Sequence, residues 1–171
     1  MRKLGIVAAV AVAGGVTFGT ATLASGNSPQ GSNHHHGTRT FTIYALLAAD
    51  RLALLPVTPG QFSLGTRSIF SDDLFTSKGG KSLGSDGGVC AVTRITNAAT
   101  ASGVMECEVT FSLPNGDITT QQLNTLTNGN LTGTQLGAIT GGTRAYRNAK
   151  GEIAVKFLSN DESYATFSLT G

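Results

Sequence analysis

Histidine is nearly missing from the working part of this 171-residue chain: its three copies are consecutive, His34, His35 and His36. Nothing in the sequence resembles a Ser-His-Asp triad. Gly79-Gly80-Lys81 lacks the remainder of a phosphate loop. Long apolar runs are scarce as well. The only one, Leu4 to Phe18, is interrupted by Gly14 and Gly15 and falls short of the ~20 residues a spanning helix needs. No excess of basic charge marks a nucleic-acid or anionic-lipid surface, since 12 Lys and Arg stand against 10 Asp and Glu. Cysteine is limited to Cys90 and Cys107, enough for one disulfide.

The first residues, "MRKLGIVAAVAVAGGVTFGTATLASG", have the layout of a secretory signal. Arg2 and Lys3 form a charged start, Leu4 to Phe18 an apolar centre, and "TLAS" a small-residue cleavage point after Ala24. No cysteine follows for a lipid anchor, so a secreted protein without a stable membrane anchor is expected. Loss of Arg2 and Lys3 leaves 10 basic against 10 acidic residues, a mature chain near neutrality. Residues 25–37, "SGNSPQGSNHHHG", read as a flexible polar linker with no apolar face to bury. Consecutive histidines on such a segment preset no coordination geometry, so no metal is expected.

From residue 38 to 171 the pattern is that of one all-β domain. Helical periodicity is nearly absent, and short alternating runs of Thr, Val, Ile and Phe recur between Gly and Asn turns. Strands are expected at Thr40 to Leu46, Gln61 to Phe70, Gly88 to Thr96, Val104 to Leu113, Ile118 to Leu126, Gln135 to Thr140, Glu152 to Leu158 and Ser163 to Leu169. "PNGD" at 114–117 and "TNGN" at 127–130 are tight-turn signals, because Asn and Gly accept positive φ cheaply. About eight strands, each apolar on one face, must close on themselves or pack as two sheets. Closure removes the edges and predicts an eight-stranded antiparallel closed β-barrel, lipocalin-like in its room for one small ligand. "ALLAADRLALLPVTPG" at 45–60 does not alternate and is expected to be a short helix or a loop capping one mouth.

A turn at "NAATAS" (97–102) pairs residues whose numbers sum to 197, which sets Cys90 opposite Cys107 within disulfide reach. The rival is a free, reactive Cys90; an oxidising compartment favours the bridge. Cys107 shares a face with Met105, Val109, Phe111 and Leu113, so both cysteines are expected to point inward.

The ordered run "LGTRSIFSDDLF", "LGSDGGVCAVTR", "CEVTFSLPNGDITTQ", "AITGGTRAYRNAKGEIAVKF" and "YATFSL" resembles the allene oxide cyclase and dirigent superfamily, most of all its bacterial secreted barrel-like members. The likeness covers most of residues 40–170, and "AITGGTRAYRNAKG" (138–151) is its strongest motif. The resemblance implies an eight-stranded barrel whose apolar interior steers the cyclisation or coupling of a reactive intermediate, with no cofactor. Homotrimers follow by analogy only. It singles out Arg147, which follows Tyr146, and the acidic pair Asp72 and Asp73 as candidate catalytic groups. Tyr44, Phe62, Phe70, Phe111, Tyr146 and Phe157 are the candidate ligand contacts.

Buried at a barrel mouth, Asp72 would have a raised pKa and could exchange a proton with a guest. The alternative is that "SDDL" is a turn, with Ser71 and Asp72 bonding nearby backbone. Ala45 and Leu47 stand where the plant cyclases carry a first-strand Glu and Asn, which argues against the allene oxide reaction itself. Three roles follow. One is an isomerase, a cyclase or a dirigent-like guide for a small hydrophobic molecule. Another is an extracellular carrier of a lipophilic compound. The last is a filled, structural barrel.

Overall fold

The computed structural model describes residues 37–170. The expected signal segment, the histidine run and nearly all of the polar linker lie outside the described residues. The strands are β1 (Arg39–Leu55), β2 (Arg67–Phe75), β3 (Ser82–Asn97), β4 (Ser102–Leu113), β5 (Gly116–Thr127), β6 (Asn130–Leu131), β7 (Thr134–Gly142), β8 (Lys150–Phe157) and β9 (Glu162–Thr170). One 3-10 turn, Arg144–Tyr146, precedes β8.

Every pairing is antiparallel. The sheet runs β4-β3-β2-β1-β9-β8-β7-β5, and β5 returns to pair with β4. The result is a closed eight-stranded barrel, with two-residue β6 hooked onto β5. Closure satisfies the backbone groups that an open edge would expose. Alternation decides which side chains face in. Along β4 and β5 nearly every second residue is buried, so the period of two in the sequence maps onto the lumen.

The turns follow their local chemistry. Pro114 and Asn115 link the Leu113–Gly116 pair. Asn128 (φ 52°) and Gly129 (φ 74°) link Thr127 to Asn130 with the double positive φ of a type I′ hairpin. Beside Gly141-Gly142 the β5–β7 ladder carries a bulge. Thr119 faces Gly141 while Thr120 faces Ile139, so Thr140 is the extra residue. Gly151 has φ 131°, and a Cβ there would collide with the carbonyl oxygen of Ser168. Gly151→Ala is therefore expected to destabilise the barrel by roughly 2 kcal/mol or more, read by chemical denaturation. A variant as stable as the parent would mean that the β8–β9 ladder relaxes freely.

Two expectations are corrected. The 45–60 segment is neither a helix nor a capping loop as far as Leu55, because β1 continues through it. Its alternation is broken for a specific reason. Leu47 pairs with Asp72 and Leu52 with Phe70, so β1 runs through residues 48–51 where β2 has only Ser71. Conversely, residues 61–66 precede β2 as a loop, held by bonds such as Gly65 N–H to the Val92 carbonyl. Asp72 and Asp73 therefore lie inside β2 and not in a turn.

One end of the barrel is plugged. Phe41 stacks on Phe167 at 4.9 Å, and Phe111 meets Phe167 edge-on at 5.0 Å. Phe167, Ile118 and Ile153 are fully buried there. A second apolar cluster surrounds the two cysteines, and the half-buried Phe62 packs on it from the loop. The space between clusters is not filled.

Candidate active site in the barrel lumen

A cavity of about 490 Å³ occupies the lumen. Ala101, Gly129, Asn160 and Asp161, from turns at one end, lie around it, and Phe111 stands toward the plugged end. The walls are mainly apolar: Leu52 and Leu54 from β1, Phe70 from β2, Val92 from β3, Val109 from β4 and Phe157 from β8.

Two carboxyl groups interrupt that surface. Strand alternation turns Asp72 inward beside Phe70, and Asp86 inward in phase with Cys90. The flanking pairs Phe70–Gly88 and Asp73–Ser85 set Asp72 across from Asp86. The Asp72 N–H donates to Asp86 Oδ1 at 2.9 Å, and Ser71 Oγ–H donates to the Asp86 carbonyl. Asp86 is 6% exposed. Burial, and then the charge of Asp72, push its pKa up to about 8, against the pull of the Asp72 N–H. Burial pushes Asp72 up to about 6, with Arg51 opposing and Asp73 assisting. Near neutral pH the pair thus holds a proton that it can give and a charge that can receive one.

The other sequence-derived candidates fall in different places. Phe62, Phe70, Phe111 and Phe157 line the cavity. Asp73 faces outward and forms a two-pronged ion pair with Arg51 (2.8 and 2.6 Å), whose hydrogen bonds hold its carboxyl below the usual range. Arg147 is exposed after the 3-10 turn, outside the cavity lining. Tyr146 is buried beside Phe41 at 6.3 Å, with Arg39 over its ring, and does not reach the lumen either. Tyr44 lies on the outer face of β1, buried against Tyr164; burial and the Glu162 carboxylate raise its pKa. None of Asp73, Arg147, Tyr44 and Tyr146 lines this cavity.

Cys90 and Cys107 form the disulfide in the expected register, inside the cavity wall. Asn124 Nδ2 donates to Cys107 Sγ at 3.3 Å. Sequence reasoning misses Asp86, Gln122, Asn124 and Arg51. A signal for Asp86 exists. It shares parity with Cys90, whose inward direction is expected, but the alternating run becomes clear only from Gly88 onward. Among the described residues no three His, Cys, Asp or Glu side chains converge as a metal site would require.

The chain is thus a closed eight-stranded antiparallel barrel with an apolar lumen and an internal acid pair. A solved pyocyanin demethylase is 32% identical over 76% of this chain and 99% of that one, with a TM-score of 0.63. The chain belongs to the family of that demethylase. A pterocarpan synthase dirigent protein (15% identity, 78% and 83% coverage, TM-score 0.58) shares the fold. So does the Diels-Alderase AbmU from Streptomyces koyangensis (11% identity, 81% and 70% coverage, TM-score 0.58). Comparison with family models and with curated proteins finds no match.

Proposed function

We propose that this protein is a barrel enzyme that admits one flat, largely apolar aromatic molecule of the pyocyanin type and performs acid–base chemistry on it. The observation that carries this reading is the Asp72–Asp86 pair, set in the wall of an otherwise apolar cavity of about 490 Å³. The volume suits one small guest, since ligand pockets of this class run from ~300 to ~1,000 Å³. Apolar walls hold the guest by burying its faces. The apolar surroundings also strengthen any charge interaction with the carboxyls. Asp72 is the more accessible group and takes the role of exchanging a proton with the guest. Asp86 holds the pair's proton near neutral pH and can give it up during reaction, and it accepts the Asp72 N–H. Phe70, Phe111 and Phe157 restrict the guest's orientation, so that its reacting edge meets the acid.

Relatedness at 32% identity to a pyocyanin demethylase supports an aromatic substrate. Export to an oxidising compartment is part of the same proposal, supported by the signal-like start and by the disulfide. The test is to titrate purified protein with pyocyanin by visible absorbance and to follow product formation by chromatography. Saturable binding with turnover supports the enzyme. Saturable binding without turnover of this or related aromatics makes the barrel a carrier. No binding of any flat aromatic overturns the reading.

A further inference from the structure

Gly88 is buried in the middle of β3, on the inner face of the barrel between Asp86 and Cys90. Nothing in the backbone calls for glycine there, since Gly88 is not among the residues with positive φ. A glycine inside a strand also weakens it, having no side chain to pack and more freedom to lose on folding. Its neighbour Gly87 faces open space, and a Cβ there would meet nothing within 4 Å. Gly88 is different. A Cβ at 88 would collide with Cζ of Phe70 and lie 2.8 and 3.1 Å from its Cε1 and Cε2. The tip of the Phe70 ring therefore occupies the space that a side chain at 88 would take. Phe70 and Gly88 are direct cross-strand partners, and Val109 stands opposite Gly88 on its other side.

This row lies next to the acid pair. Asp72 is two residues along β2 from Phe70, and Asp86 is two residues along β3 from Gly88, so all four share the inner face. Phe70 lines the cavity and packs against both apolar clusters. With its tip set against β3, the ring lies along the wall and out of the middle of the lumen. A side chain at 88 would turn the ring toward the barrel axis, because the β3 backbone closes the way outward. We propose that Gly88 is a specificity-determining residue: the notch it leaves takes the tip of the Phe70 ring and keeps the layer beside the acid pair wide enough for a guest of three fused rings. This inference rests on the reading of the lumen as an aromatic-binding site, and it sets the size class of the guest.

The test uses phenazine and quinoxaline, which carry the same two ring nitrogens and differ by one fused ring, in equilibrium dialysis against the full chain. Wild type is expected to bind both. Gly88→Ala is expected to weaken phenazine binding by at least about tenfold and quinoxaline binding by less than about threefold, in the range of overpacking by one methyl group. Adding Phe70→Leu to Gly88→Ala removes the clash, and should bring phenazine binding to within about threefold of Phe70→Leu alone. Phe70→Trp overfills the same notch with Gly88 in place and should discriminate against phenazine in the same way. Far-UV circular dichroism and melting of each variant check the fold. Equal losses of the two probes, phenazine binding unchanged in Gly88→Ala, a loss that Phe70→Leu does not relieve, or a wild type that takes quinoxaline alone overturns the notch and leaves the aromatic-binding reading intact. A fold lost in both Gly88→Ala and Phe70→Trp overturns it too, since the contact then serves the core alone. A wild type that binds neither probe overturns both readings.

Discussion

Asp86→Asn is expected to reduce turnover of the aromatic substrate by at least about 100-fold, the usual range for loss of a proton-transfer group. The same variant should be more stable than wild type at pH 8, and no more stable at pH 4. The sign follows from linkage. Asp86 has its pKa raised from 3.8 to about 8 in the folded barrel. Between those values the folded state keeps a proton that the unfolded state has lost. Wild-type stability therefore falls as pH rises through this window, and the loss is complete above about 8. A tenfold change in proton affinity corresponds to ~1.4 kcal/mol, so the cost at pH 8 is on the order of a few kcal/mol.

Asparagine removes the ionisation and keeps an acceptor for the Asp72 N–H. The wild-type rate should be bell-shaped in pH, with limbs near 6 and 8, because the working form carries one proton on the pair. Asp72→Asn should remove a limb and most of the rate. Melting curves at pH 4 and pH 8 decide the stability arm without any substrate. Parallel curves for wild type and Asp86→Asn would end the argument for a buried, protonated acid.

Removal of the disulfide is the other large effect. Cys90→Ala with Cys107→Ala opens a bridge between residues 17 apart. In the chain-entropy model a loop of this length contributes ~3 kcal/mol. For a domain of this size that corresponds to a melting temperature lower by roughly 10 °C. The bridge also forms part of the cavity wall and accepts the Asn124 amide, so guest affinity should fall along with stability. Melting in the presence and absence of reductant measures the first effect on unaltered protein. If the double variant melts within about 2 °C of wild type, the β3–β4 ladder holds the hairpin without its covalent tie.

Local chemistry made much of this architecture readable. Asn128-Gly129 announced a tight hairpin. The turn at 97–102 fixed a register in which Cys90 faces Cys107, and the structure has that pair. The inward direction of Phe111 and Cys107 followed from a period of two. The acid pair was legible only by half. Asp72 stood out beside Asp73, and alternation alone ensures that two adjacent strand residues point to opposite faces, but which one points inward depends on the sheet's curvature. Asp86 sat in a glycine-rich stretch with the composition of a loop, and it became a strand only because β2 and β4 flank it. Tyr44 and Tyr146 carry the right chemistry for a ligand contact, yet neighbouring strands bury both away from the lumen.

The amino-acid order by itself determined the all-β character, the turns and the cysteine register, because each follows from spacing along a few neighbouring residues. Tertiary structure alone decided that the interior stays open, that Asp72 meets Asp86, and that Arg147 stands apart from both. Those outcomes depend on strand stagger around a closed ring, where residues far apart in sequence come to share one layer, and no local pattern encodes that sum.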